Sequence, residues 1–145
     1  MLVALIAAIL VAVAPAEAAH LTEQPKKHKV VYHLNEPSVD KARFVLGNIQ
    51  NHIDGVGGMK NVEAIELVVH GPALRNFLTM DMNPDIKRAL DELKSQGVGF
   101  EACGNTMKAF SITLEQLPPG TKPLPQGGVV RVMELQEQGY VYIRP

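Results

Sequence analysis

Apolar residues are distributed along the chain in two regimes. Residues 1–18 form a near-continuous apolar run, broken only by Pro15 and Glu17. From residue 29 onward, short β-rich runs alternate with stretches of helical period. Residues 29–34 (KVVYHL) read as a first strand, closed by the turn signal Asn35-Glu36-Pro37. Ser38 is placed to cap a helix in which Ala42, Val45, Leu46, Ile49 and Ile53 fall at i, i+3, i+4, i+7 and i+11, one face of the turn. The glycine-rich Gly55-Val56-Gly57-Gly58 ends it. Residues 64–70 (AIELVVH) form the second strand, stopped by Gly71-Pro72, and residues 72–78 read as a short helix. Asn83-Pro84 is an N-cap followed by proline at N1; Ile86, Ala89, Leu90 and Leu93 then face one way, with Gly97 as the residue that closes the helix. Residues 98–103 are the third strand, Gly104-Asn105-Thr106 opens another helix, and Leu117-Pro118-Pro119-Gly120 is a turn. A short fourth strand over residues 121–124, a helix over 127–138 closed by Gly139, and a fifth strand over 140–143 complete the chain.

This β-α-β-α alternation implies parallel strands joined by right-handed crossovers. The expected architecture is α/β: a three-layer α/β/α sandwich with a five-stranded, mainly parallel sheet and helices on both faces. The length of 145 residues suits one such domain.

The apolar run at the start changes the picture of domain organisation. Its uninterrupted part, residues 1–14, is short for a membrane span of ~20 residues and suits a secretory signal, and Ala16-Glu17-Ala18 fits an A-x-A cleavage site. Residues 1–18 are therefore expected to be a signal peptide, with an uncleaved anchor as the alternative. Residues 19–28 are a polar linker and residues 29–145 the α/β domain. Leu2 directly follows Met1, so a positive n-region is missing, which suggests a start codon further upstream; N-terminal sequencing of the precursor checks this. After cleavage the protein would reside in the periplasm, free of the membrane. Loss of Glu17 from the fifteen acids leaves them balanced against fourteen basic residues. That balance, with no tryptophan and 5% aromatics, argues against a nucleic-acid partner. A single cysteine excludes an internal disulfide and any multi-cysteine metal centre.

In open parallel sheets, sites form beyond the carboxyl ends of the strands. Asn35, His70 and Cys103 end the first, second and third strands, so all three are expected at one edge. Cys103 stands at a strand-to-helix junction, where the amides of Gly104, Asn105 and the turn they open favour a thiolate. Gly104 would let the backbone turn tightly beside it. His70 would polarise the thiol or donate to an anionic sulfur. The blander readings remain open: Cys103 as a buried apolar residue, His70 bonded to the next loop, Asn35 as a turn residue. Other patterns carry less. Asp81, Asn83 and Asp85 resemble the start of a calcium loop but lack its glycine and terminal glutamate, so helix capping explains them. Gly55-Val56-Gly57-Gly58-Met59-Lys60 lacks Walker spacing and follows a helix. His20 and His28, with Lys26, Lys27 and Lys29, read as a solvated linker, and Tyr140 and Tyr142 as strand packing.

Three segments carry a family resemblance: Val68-Val69-His70-Gly71-Pro72-Ala73-Leu74, the run GVGFEACGNTM over residues 97–107, and the ending from Gly128-Val129-Val130-Arg131 through Tyr140-Val141-Tyr142-Ile143-Arg144-Pro145. Together they make residues 29–145 resemble the DsrE/DsrF-like family of sulfur-relay and sulfur-oxidation proteins, which includes the TusD type. The resemblance implies a five-stranded α/β/α domain that forms homo-oligomers, often trimers or hexamers. It also implies that Cys103 carries sulfur as a persulfide between a sulfur donor and an acceptor protein or small thiol, without metal or organic cofactor. The export leader and the residues after the cysteine, Gly104-Asn105-Thr106-Met107, depart from the cytoplasmic relay members. Two other functions stay in view: an oligomeric binding or scaffold module with an inert Cys103, and a redox sensor that pairs Cys103 between chains.

Overall fold

A computed structural model describes residues 27–145. The expected signal peptide and most of the expected linker lie outside the described residues. The elements follow the order β1 (His28–Leu34), α1 (Val39–Gly55), β2 (Val62–Val69), α2 (Pro84–Ser95), β3 (Gly99–Cys103), α3 (Gly104–Phe110), β4 (Lys122–Leu124), α4 (Gly128–Glu137) and β5 (Val141–Ile143).

Local chemistry sets the boundaries of these elements. Ser38 Oγ accepts from the Lys41 amide and starts α1, and Asn83 Oδ1 accepts from the Asp85 amide, 2.9 Å away, to start α2. On α1, the five residues of the apolar stripe are the ones buried. Each of Val45, Leu46, Ile49 and Ile53 contributes roughly 1.5–3 kcal/mol of burial. Gly97 and Gly139 follow α2 and α4 with φ of 99° and 86°, a conformation that glycine adopts without a Cβ penalty. Two expectations change. The short helix after β2 is a 3-10 segment over Gly71–Phe77, which stacks Leu74 and Phe77 into the core at its three-residue period. The second strand begins earlier, at Val62, and His70 is the first residue beyond it.

All pairings in the sheet are parallel, in the order β4-β3-β2-β1-β5. The chain steps from β1 to β4 in one direction and then crosses back to β5. Right-handed crossovers therefore put α1, α2 and α3 on one face and send α4 alone to the other. The large core joins α1, α2 and the 3-10 segment to Val30, Tyr32, Leu34, Ile65, Leu67, Val69, Phe100 and Ala102 of the sheet. On the opposite face Val132 and Leu135 of α4 pack onto Val31, Val68 and Leu124, with Tyr140 against them. The sandwich has three layers, but among the described residues the third is a single helix. Among the described residues, no helix is long and apolar enough to cross a membrane.

Strand alternation decides what lies under that helix. Residues at alternate positions share a face, so Glu66, Val68 and His70, with Glu101 and Cys103, all belong to the α4 side. Val69 pairs with Ala102, so His70 and Cys103 follow side by side at the ends of neighbouring strands.

Candidate functional site

Cys103 is 5% exposed and lies at the floor of a cavity of about 370 Å³. His70, Gly71, Asn105 and Thr106 line it on one side, Gln126, Gly127 and Gly128 on another, and Ala109, Phe110, Val129 and Val130 supply apolar wall. Among the described residues, no Asp, Glu, Lys or Arg side chain lines it. Two helix N-termini meet over the sulfur: α3, which starts directly after Cys103, and α4, which arrives from the opposite layer.

Burial pushes the Cys103 thiol up, but the groups around it outweigh burial and leave it below its ordinary value. They are the Thr106 hydroxyl and the amides of Gly128, Thr106 and Asn105, which favour the thiolate. Thr106 is oriented for this role. Its Oγ1 accepts from the Gly71 amide at 2.8 Å, which leaves the hydroxyl proton to donate to a thiolate. The sequence placed the following turn beside the sulfur; Gly128, from a helix 25 residues later in the chain, is visible only in the fold.

The approach of α4 depends on the absence of a side chain at Gly128. A Cβ there would meet His70 Cβ at 3.1 Å and Cys103 Cβ at 3.4 Å. The two sequence-predicted residues are thus brought together around this glycine. Gly104 acts differently from the expected tight turn, since its φ is not left-handed. A Cβ at Gly104 would lie 2.6 Å from the Leu124 carbonyl oxygen, so glycine lets the start of α3 press against the end of β4. Asn105 lines the cavity, and its side-chain amide lies against the Gly127 Cα.

His70 is half-buried, and burial, with the nearby Arg144 guanidinium, holds its pKa below the ordinary value. It is a neutral imidazole at pH 7 at the cavity edge. His33, which the sequence reading passed over, stacks on it at 4.7 Å between ring centroids and 24° between planes. His33 Nδ1 pairs with the Tyr142 hydroxyl at 2.8 Å. Burial, His70 and Arg144 lower the His33 pKa to about 4. The alternation of β1 held the clue, because His33 shares a face with Val31. Tyr142, expected as strand packing, has this polar partner as well. Asn35 does reach the same edge but does not line the cavity; its Oδ1 accepts from Arg144 Nη2 at 2.9 Å.

Beneath the thiol lies a second feature that the sequence reading missed. Glu101, two residues before Cys103 on the same face, is fully buried. Arg131 of α4 grips it with both fork nitrogens, Nε to Oε2 at 2.8 Å and Nη2 to Oε1 at 2.9 Å, and Lys122 adds a contact at 2.9 Å. A charged residue in the middle of the apolar strand GFEAC was the available signal. Among the described residues, no group of three or more His, Cys, Asp or Glu side chains is arranged to hold a metal.

Comparison with known proteins agrees with this architecture. A protein of unknown function from Methanobacterium thermoautotrophicum, MTH1491, superposes with a TM-score of 0.73 at 27% identity, over 82% of this chain and 100% of its own. The ychN protein of E. coli gives 0.63 at 16% identity, over 81% of this chain and 99% of its own. BT1422 from Bacteroides thetaiotaomicron, a conserved protein of unknown function, gives 0.58 at 14%, over 81% and 94%. At such identities the last two speak to the fold alone. No curated protein matches significantly. The model of the DsrE/DsrF-like family matches residues 29–145, the whole α/β domain with Cys103 in it, and the chain belongs to that family.

Proposed function

We propose that this protein is a periplasmic sulfur carrier in which Cys103 holds sulfane sulfur as a persulfide. Family membership points to sulfur relay in general. The observation that supports the specific role is the set of four donors that lower the pKa of a buried thiol at the floor of an open cavity. A cysteine used only for packing would show burial alone, which raises the pKa.

In the loading step the Cys103 thiolate attacks the outer sulfur of a donor R–S–SH. The new S–S bond forms as the donor's S–S bond breaks, and R–S⁻ leaves with the electron pair: Cys–S⁻ + R–S–SH → Cys–S–SH + R–S⁻. Unloading reverses the roles. An acceptor thiolate takes the outer sulfur and Cys103 leaves as a thiolate, stabilised by the same amides. Sulfane sulfur is passed on without net oxidation, so neither step needs a redox cofactor. Neutral His70 lines the same cavity beside Cys103, where it adds no charge to repel an incoming thiolate. The apolar leader over residues 1–18 and its A-x-A site support export. Exposed Val129, Val130 and Met133 on α4, with Val141 and Tyr142 on β5, support association between copies.

Mass spectrometry after treatment with a small hydropersulfide tests the carrier role. The expected product is a single adduct of about 32 Da, one sulfur atom, that reductant removes and Cys103→Ser lacks. A wild-type protein that stays unmodified under these conditions rules the role out. Native spectra of the same samples read the number of chains; a purely monomeric protein would remove the oligomer from the proposal.

A further inference from the structure

Gly128 approaches Cys103 so closely that an added Cβ would lie 3.4 Å from the Cys103 Cβ, and it brings its amide to the thiol from a helix that no covalent neighbour of the cysteine controls. Something must fix α4 along and across β3 to within hydrogen-bond tolerance. The two apolar anchors, Val132 and Leu135, lie at least one turn away from Gly128 and contact the sheet without directional bonds. The Glu101–Arg131 pair is different. Glu101 is on β3, two residues from Cys103 and on the same face; Arg131 is on α4, one turn from Gly128. Two parallel bonds of 2.8 and 2.9 Å join them, and a fork of this kind fixes angle as well as distance.

We propose that the Glu101–Arg131 ion pair is a positioning device for the reactive thiol: it sets the register of α4 on β3 and so holds the Gly128 amide on the Cys103 sulfur. The inference rests on the reading of Cys103 as a thiolate-bearing carrier. The pair and the thiol occupy corresponding steps on their two elements, Glu101 to Cys103 along the strand and Arg131 to Gly128 along the helix. A rotation or slide of α4 that withdrew the amide would break the fork. Gly128 is itself wedged between His70 and Cys103, so the helix end is limited in the inward direction by contact and held against outward drift by the fork.

Other charges face the pair. Lys122 of β4 shares Oε1 of Glu101, Glu134 of α4 lies 3.9 Å from Arg131, and Glu66 of β2 sits across the Gly99 backbone beside Glu101. Through-space effects of these groups must be separated from position, and two substitutions do so. Arg131→Ala is unsuitable because it deprives a buried carboxylate of its main partner. Arg131→Lys keeps the charge and loses the fork. Lys122→Met removes a charge from the same carboxylate but leaves β3 tied to α4.

The lone cysteine makes the readout unambiguous. The thiolate is titrated by its ultraviolet absorbance and by the pH dependence of alkylation, in the intact protein, with melting curves recorded alongside. Arg131→Lys is expected to melt as a folded protein, to titrate at higher pH, and to react about tenfold more slowly at neutral pH, the worth of one weakened charge-assisted hydrogen bond. Lys122→Met is expected to titrate like the wild type. A wild-type titration in Arg131→Lys overturns the inference, and so does an equal shift in both variants, which would make the effect one of charge alone. None of these measurements uses a sulfur donor. A missing sulfur adduct with these shifts intact would therefore remove the carrier role and leave the positioning role standing.

Discussion

His33 and His70 stack with their Nε2 atoms buried and unpartnered, an arrangement that suits two neutral rings and opposes a proton on either. The His33 pKa falls from 6.5 in the unfolded chain to about 4 in the fold. The unfolded state thus binds more protons between those values, and stability rises with pH across the window. The pair's contribution is complete above about pH 6.5 and is lost as pH falls toward 4. The full shift would be worth about 3 kcal/mol; half-exposed surroundings and mutual coupling reduce this to about 1–2 kcal/mol. Urea unfolding of the wild type and His33→Phe at pH 7 and pH 4.5 isolates it from the carboxylates that titrate in the same range. The wild type is expected to lose more stability than the variant by about that margin, and equal losses would show that the stack does not resist protonation.

Among the elements, α4 is the one on which structure and chemistry depend together. Among the described residues it is the only helix on its face, anchored by Val132 and Leu135, and it brings an amide to the thiol. Leu135→Ala is expected to cost about 2–4 kcal/mol and to raise the thiol pKa, because the cavity it leaves lies under the helix that carries Gly128. Leu90→Ala, on α2 in the larger core, is expected to cost as much and leave the thiol titration unchanged. Denaturant midpoints and thiol titrations on both variants decide the matter; equal titration shifts would mean that loosening anywhere reaches the site. The same contrast explains what was legible in the sequence. The α1 stripe, the Ser38 and Asn83 caps, and Gly97 and Gly139 are local signals, written within one turn of where they act. Cys103 and His70 were legible because strand ends collect sites in any parallel sheet. The Glu101–Arg131 pair and the Gly128 contact join residues 25 to 30 apart in the chain, across a layer whose occupant follows from strand order. Nothing local to GFEAC says that α4 crosses back over it. Asn35 shows the opposite limit: the strand-end rule brought it to the right edge, and the return of β5 beside β1 gave its side chain to Arg144.

At the scale of the whole molecule, charge distribution argues for the kind of donor. The chain is nearly neutral, with fourteen basic and fifteen acidic residues, and among the described residues none of these lines the cavity at Cys103. Arg75 lies over the Phe110 ring at 4.2 Å rather than in the lining, and Arg144, which acts on His70 at the cavity edge, is bonded to Asn35 and Glu36. The amides at the floor favour the thiolate itself. A dianionic donor such as thiosulfate would bring its charges to within ~4–5 Å of that thiolate, where each costs about 3–4 kcal/mol at an effective dielectric of ~20, with no Lys or Arg among the described lining residues to offset them. A hydropersulfide with an apolar substituent carries at most one charge and places its apolar group against Ala109, Phe110, Val129 and Val130. Loading of Cys103 is therefore expected to be at least about tenfold faster from benzyl hydropersulfide than from thiosulfate at equal concentration and neutral pH, and added salt should accelerate only the thiosulfate reaction, by screening like charges. Time-resolved mass spectrometry of the adduct measures both. Equal rates, or a thiosulfate reaction that salt slows, would place a cation at the cavity mouth and assign the site to anionic donors.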